Sequence, residues 1–292
     1  MTPHAQQLEE KIKLGQQKIV GKTILHTAPH HDDILLGYFP YALRNLAGNT
    51  NHVLYITSGA NGVSDIYLAQ YLSMSMQALN LLDAKTKQEL KYRIREIESE
   101  KKWSRVAGDS VQIKNLRANF YEASALDLEQ TIESDIQRIA DYFETVQPDI
   151  ITVLVDPVGI GPATHHRSQQ VVMQAIARYN SPKPIEIIGY RNVWSSFSLE
   201  DTDMIVPVAQ DELDQVESIF QDCFVSQTTT LILNEDDFDL HNLARRSLGA
   251  GGFAEQVTQI QKAQYQQVLQ LLAQQKNDLK NYAGMIFLQI NH

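Results

Sequence analysis

Short apolar runs that alternate with helical patterning constrain this chain more than any other feature. KIVGKTILHTAP (residues 18–29), HVLYIT (52–57), IITVLV (150–155) and IEIIG (185–189) are rich in β-branched residues and read as strands. A shorter strand is expected at Leu116–Tyr121 and a last one at Met285–Ile290. Between them, helical spacing runs over Asp33–Ala47, Tyr67 to about Ala107 with a break near Asp83–Lys85, Leu126–Thr145 and Ser168–Tyr179. A polar helix over Gln6–Gln17 precedes the first strand. Strands that alternate with helices predict a parallel sheet covered on both faces. The expected fold is α/β, a Rossmann-like three-layer αβα arrangement with a mainly parallel sheet and a long C-terminal helix. That helix is the Gln-rich segment Glu255–Lys276, with Val257, Ile260, Tyr265, Val268 and Leu271 or Leu272 toward the core. No repeat or Pro/Ser-rich linker interrupts the chain, so a single domain over residues 1–292 is expected.

Composition removes several function classes. One cysteine, Cys223, cannot form an internal disulfide or a Cys-based zinc or iron–sulfur site. Acidic residues outnumber basic ones 35 to 25, a net charge of −10, which argues against nucleic acid as the main partner. No stretch approaches the roughly 20 apolar residues of a membrane span. The start, MTPHAQQLEEKIKLGQQ, lacks the basic and apolar regions of a secretion signal, so a cytoplasmic location is expected.

In an open parallel sheet, ligands bind beyond the carboxyl ends of the strands. Two such ends here carry unusual residues: His30-His31-Asp32-Asp33 after the first strand, and Asp156 with His165-His166 after IITVLV. Two histidines and a carboxylate drawn from two loops make a three-ligand site with an open position, the arrangement of catalytic zinc. A neighbouring carboxylate, Asp32, suits the role of general base. The bland alternative is that the aspartates cap the helix starting near Asp33. Ser58-Gly59 lacks a surrounding G-x-S-x-G and is not read as a nucleophile. Asp236, Asp237, Asp239 and His241 are read as a solvated helix start, and Arg245-Arg246 with the following GAGG as a helix end and loop.

The segment HTAPHHDDILLG resembles the first motif of the LmbE/PIG-L-type de-N-acetylases, written A-H-P-D-D-E. DPVGIGPATHHRS is similar to that family's later motif, YITSG and the Arg95/Glu98 pair in IREIESEKKW extend the likeness, and IIGYRNVW resembles a glucosamine-6-phosphate-deaminase-like branch. The likeness covers about residues 19–225 and leaves 226–292 as a helical extension. It implies a zinc-dependent hydrolase that removes the acetyl group of an N-acetylated amino sugar or its conjugate. His30, Asp33 and His165 would hold zinc, with His166 as the alternative to His165, and Asp32 would be the base. Arg95, Ser58 and Arg191 would meet substrate. A homo-oligomer is compatible with this reading.

Three departures from the pattern stand out. His31 replaces the usual Pro, and Ile34 replaces an acidic residue. The family's H-x-x-H is absent, because Pro162 and Ala163 stand three residues before His165 and His166. His31 and Arg191 are the candidates to replace the missing histidine. Thr164 is expected to cap the helix that follows. The other readings are a metal-dependent phosphoesterase and a sugar-binding protein of the same fold with impaired catalysis.

Overall fold

The computed structural model describes residues 3–124, 127–156, 161–192, 196–228, 268 and 282–291. Five strands run parallel: β1 (Thr23–Ala28), β2 (Thr50–Tyr55), β3 (Val111–Asn115), β4 (Ile150–Leu154) and β5 (Glu186–Tyr190). Two more, β6 (Met204–Ala209) and β7 (Tyr282–Asn291), complete a seven-stranded sheet in the order β3-β2-β1-β4-β5-β7-β6. Among the described strands, β7 runs antiparallel to the other six, pairing with β5 and β6. The mainly parallel α/β sheet is as expected.

Helices cover both faces. α2 (Asp33–Arg44), α5 (Ala84–Ala107) and α8 (Gln210–Cys223) meet one face, where Ile34, Leu35, Phe39, Trp103, Ile219 and Phe220 share one apolar cluster. α6 (Leu128–Val146) and α7 (Ala163–Arg178) meet the other, through Ile136, Ile139, Phe143, Val171 and Val172. β1 and β4 send buried apolar side chains to both clusters, so their apolar residues do not alternate with exposed polar ones. α1 (Pro3–Gln16) packs Leu8 and Ile12 against Ile205 and Met285 at the β6–β7 end. Of the expected C-terminal helix only Val268 is described; it is helical and buried in that cluster. The rest of that helix, the Asp236–His241 segment and Arg245-Arg246 lie outside the described residues.

Several boundaries differ from the sequence reading, each for a local reason. The strand expected at Leu116–Tyr121 ends at Asn115 instead. Arg117 adopts a left-handed backbone (φ 51°), which stops the ladder. Leu116, Ala118 and Phe120 nevertheless bury alternate side chains, the period of two that imitates a strand. The helix expected from Ser168 starts at Ala163, with Pro162 in the N-cap position, so Thr164 lies in the first turn and does not cap it. The long helical region is split into α3 (Asp65–Tyr71), α4 (Met76–Leu79) and α5. Asp83 caps α5 by accepting from the Thr86 amide at 2.8 Å. β6 and α8 were not anticipated. Pro207 hides β6, being tolerated because β6 is an edge strand.

α2 is kinked at Tyr38 (φ −155°, ψ 25°). Gly37 precedes the kink because a Cβ there would stand 2.6 Å from the Tyr190 ring. The kink delivers the Tyr38 hydroxyl to a polar group inside the sheet, 2.8 Å from His26 Nδ1 and 2.7 Å from Thr152 Oγ1. Burial pushes His26 down to about 4, although its contact with Asn51 opposes this. The folded state therefore resists a proton that the unfolded chain accepts near 6.5. Stability from this group is complete above pH 6.5 and declines as pH falls toward 4, by roughly 3 kcal/mol at most. The His26 ring signals in NMR are expected to stay those of neutral imidazole at pH 5.5. A titration midpoint above 6 would contradict this account.

Candidate metal centre

The chain leaves β1 toward β2 and β3 on one side, while β4 and β5 extend the sheet on the other. The switch point between β1 and β4 is the position where loops part and a crevice forms. His30 to Asp33 leave β1 there, Asp156 leaves β4, and Asn192 leaves β5.

His30, Asp33 and His165 offer one donor atom each, all within 4.8 Å of one another. His30 Nδ1 lies 3.2 Å from His165 Nε2 and 3.3 Å from Asp33 Oδ2. His165 Nε2 stands 3.5 Å from Asp33 Oδ1. Each of the three side chains is held from behind. His165 Nδ1 faces Asp156 Oδ2 at 2.8 Å, which leaves Nε2 to the cluster. Thr164 Oγ1 lies 3.5 Å from His30 Nε2, leaving Nδ1 inward. The amide of His30 donates to Asp33 Oδ2 at 2.7 Å, and Asn192 Nδ2 donates to Asp33 Oδ1.

The electrostatics fit a cation. Burial would raise Asp33, yet the facing His165 and His30 bring it down to about 2. Burial would lower His165, but Asp33 and Asp156 lift its affinity for a proton above that of ordinary imidazole. Two nitrogens pointing at each other between two buried carboxylates form a centre that favours positive charge. An N₂O donor set with outer-shell anchors suits a divalent ion such as zinc. His166 is outside the set; its Nε2 meets Gln170 at 3.1 Å.

Asp32 occupies the N-cap position of α2 but makes no capping hydrogen bond, so the bland reading of this residue fails. Its Oδ1 accepts from Arg95 Nη2 at 2.9 Å. Arg95 is buried, and its Nη1 donates to Glu98 Oε2 at 3.0 Å. The pair with Glu98 is thus internal and not a surface ion pair. His31 is fully buried, stacked 4.4 Å from Tyr55, with Nε2 at 3.1 Å from Asn115 Oδ1. Arg191 lies over the Phe197 ring at 4.4 Å.

Gly59 allows the turn after β2 to pass close to the centre. Its φ is +63°, and a Cβ would meet Arg95 Nε at 3.2 Å and His30 Cδ2 at 3.6 Å. Ser58 beside it is buried and lines a polar cavity of about 440 Å³ with Tyr92, Arg117, Asn119, Glu122 and Thr131. Tyr121 presents its ring edge-on to His30, 6.3 Å between centroids. Sequence reasoning passed over Tyr121 and Asn192 as site residues, because only the fold brings their loops to the switch point.

The sequence matches the family described as GlcNAc-PI de-N-acetylase (PIG-L) over residues 25–176. None of the curated proteins matches it. Among solved structures, the zinc-inhibited form of the teicoplanin deacetylase Orf2 is similar, with a TM-score of 0.55 at 11% identity, covering 94% of this chain and 99% of the other. GalB, the 4-carboxy-2-hydroxymuconate hydratase of Pseudomonas putida, is similar with a TM-score of 0.53 at 12% identity, covering 93% and 96%. A triple mutant of the teicoplanin-pathway deacetylase has a TM-score of 0.52 at 11% identity, covering 92% and 98%. At these identities the likeness establishes the shared fold.

Proposed function

The chain belongs to the PIG-L family, and from that premise we propose that it is a metal-dependent deacetylase acting on an N-acetylated amino sugar. The observation that carries this reading is the convergence of His30, Asp33 and His165 beside an Asp32 that Arg95 holds by one oxygen. His30, Asp33 and His165 would hold a divalent ion, which would polarise the amide carbonyl and ease deprotonation of water. Asp32 Oδ1 is engaged by Arg95, so Oδ2 takes the proton of the attacking water. The same carboxyl then returns it to the departing amine, which releases acetate and the free amino sugar. One group serving both steps answers the absence of H-x-x-H. His31 is turned into the core and exposes no surface for the second step.

Ser58 and the adjoining cavity are proposed to take the rest of the sugar, with Arg191 at the opposite loop. Arg95 is committed to Asp32 and Glu98, and Arg117 to Glu89 and Glu96. Both are engaged by carboxylates of the protein, which favours neutral amino-sugar groups on the Ser58 side of the site.

Metal content and amine release test this reading. We expect about one zinc per chain, release of fluorescamine-reactive amine from N-acetylglucosamine derivatives, loss on chelation and recovery with zinc. Two-metal phosphoester hydrolysis would show about two ions per chain. Among the described residues, His30, Asp33 and His165 form the one such group, which favours a single ion. A protein that binds no metal would instead be a catalytically impaired sugar-binding member of the fold. Among the described residues no helix is long and apolar enough to cross a membrane.

A further inference from the structure

We propose that Ser226 is a positioning residue for Asp32, acting through Glu98 and Arg95. This rests on the reading of Asp32 as the base. Ser226 lies just past α8, beyond the residues that match the family. It is fully buried against the back of the site. Its amide donates to Glu98 Oε1 at 2.7 Å, and its hydroxyl donates to Glu98 Oε2 at 2.9 Å. Oε2 also accepts from Arg95 Nη1 at 3.0 Å, and Arg95 Nη2 reaches Asp32 Oδ1 at 2.9 Å. An unbroken line of hydrogen bonds thus runs from Ser226 to the oxygen of Asp32 that does not take the proton.

The chemistry of the line explains why a donor is needed at its far end. Two carboxylates share one guanidinium in a buried setting, which leaves one negative charge uncompensated by any cation in the line. Two donors from Ser226 satisfy Glu98 and keep it ionised, so that it holds Arg95 on the side of Asp32. Without them Glu98 gains from drawing Arg95 toward itself, and the bond to Asp32 loosens.

Neighbours of Ser226 fix the segment against the same site. The Phe224 ring lies 5.6 Å below the guanidinium of Arg95 and 5.6 Å from Lys102 Nζ. Lys102 Nζ donates in turn to the carbonyl of His31 at 3.1 Å. Gln227 Nε2 donates to the carbonyl of Gly62 at 3.1 Å, in the turn that follows Gly59. The segment from Phe224 to Gln227 therefore touches Glu98 and Arg95, which support Asp32, the Lys102 ammonium that holds the His31 carbonyl, and the turn after β2.

The test compares Ser226→Ala and Ser226→Thr with the wild-type, zinc-loaded full chain. The Ala variant is expected to lower kcat for amine release about tenfold, with KM within about twofold. The Thr variant, which keeps the hydroxyl, is expected to restore kcat. A second readout needs no turnover: the Nη resonances of the Arg95 guanidinium, assigned with an Arg95→Lys variant. Held on both sides, Arg95 should give separate, slowly rotating Nη signals in the wild type and in Ser226→Thr. They should merge in Ser226→Ala while the metal content stays the same. Unchanged Arg95 signals in the Ala variant would overturn the proposal, and so would a loss of kcat that threonine does not repair. If the wild type released no amine from any N-acetylated sugar, the deacetylase reading would fall. The guanidinium signals would still decide the role of Ser226.

Discussion

Asp32→Asn is expected to cost between about a hundredfold and ten-thousandfold in kcat, with metal content unchanged. The substitution is close to isosteric. An asparagine keeps an oxygen for Arg95 Nη2, so the hydrogen bond seen at Oδ1 survives. It places an amide nitrogen where Oδ2 now stands, and that nitrogen cannot accept a proton. Fold effects should be small, because Asp32 makes no capping bond to α2 and is not one of the three donors at the centre. The loss should appear in the chemical step and not in substrate affinity. Kinetics of amine release, with metal analysis of both proteins, check it. Equal rates in the two enzymes would show that Asp32 is not the base.

The proposed division between metal donors and base is legible in HHDD because the turn carries two kinds of residue. His30 and Asp33, three apart, converge on one side of the first turn of α2. His31 and Asp32 face elsewhere, one into the core and one toward Arg95. Periodicity also found β1, β2, β4 and β5, whose apolar runs are buried on both faces. It misplaced β3 because Leu116, Ala118 and Phe120 keep a strand-like rhythm through a turn. It missed β6 because a proline in an edge strand imitates a loop. The links across the fold are a separate matter. Arg95 and Glu98 were visible as a pair, but Ser226 stands 128 residues after Glu98, and a lone serine carries no signal of that contact. Asp156 likewise gains its meaning from His165, nine residues on, only once β4 and α7 are in place.

The choice between adjacent histidines gives the second large effect. His165→Ala is expected to bind little zinc and to lose more activity than the roughly 10- to 100-fold typical of removing an outer-shell partner. His166→Ala is expected to stay near wild type in both. The reason is the direction of each ring. His165 sits 3% exposed on the inner side of the first turn of α7, with Nε2 at the cluster and Nδ1 on Asp156. His166 turns away by one residue and meets Gln170 on its own helix. Removing His165 also strands Asp156, a buried carboxylate whose Oδ2 meets His165 and whose Oδ1 has no hydrogen-bond partner among the described residues. An unpaired buried acceptor of this kind costs about 1–3 kcal/mol, more when charged, so His165→Ala should also melt at a lower temperature. His166→Ala lacks that penalty. Zinc content and melting temperature of the two variants separate the cases without any substrate. If His166→Ala were the variant to lose its metal, α7 would have to enter the site rotated by about one residue, roughly 100° about its axis.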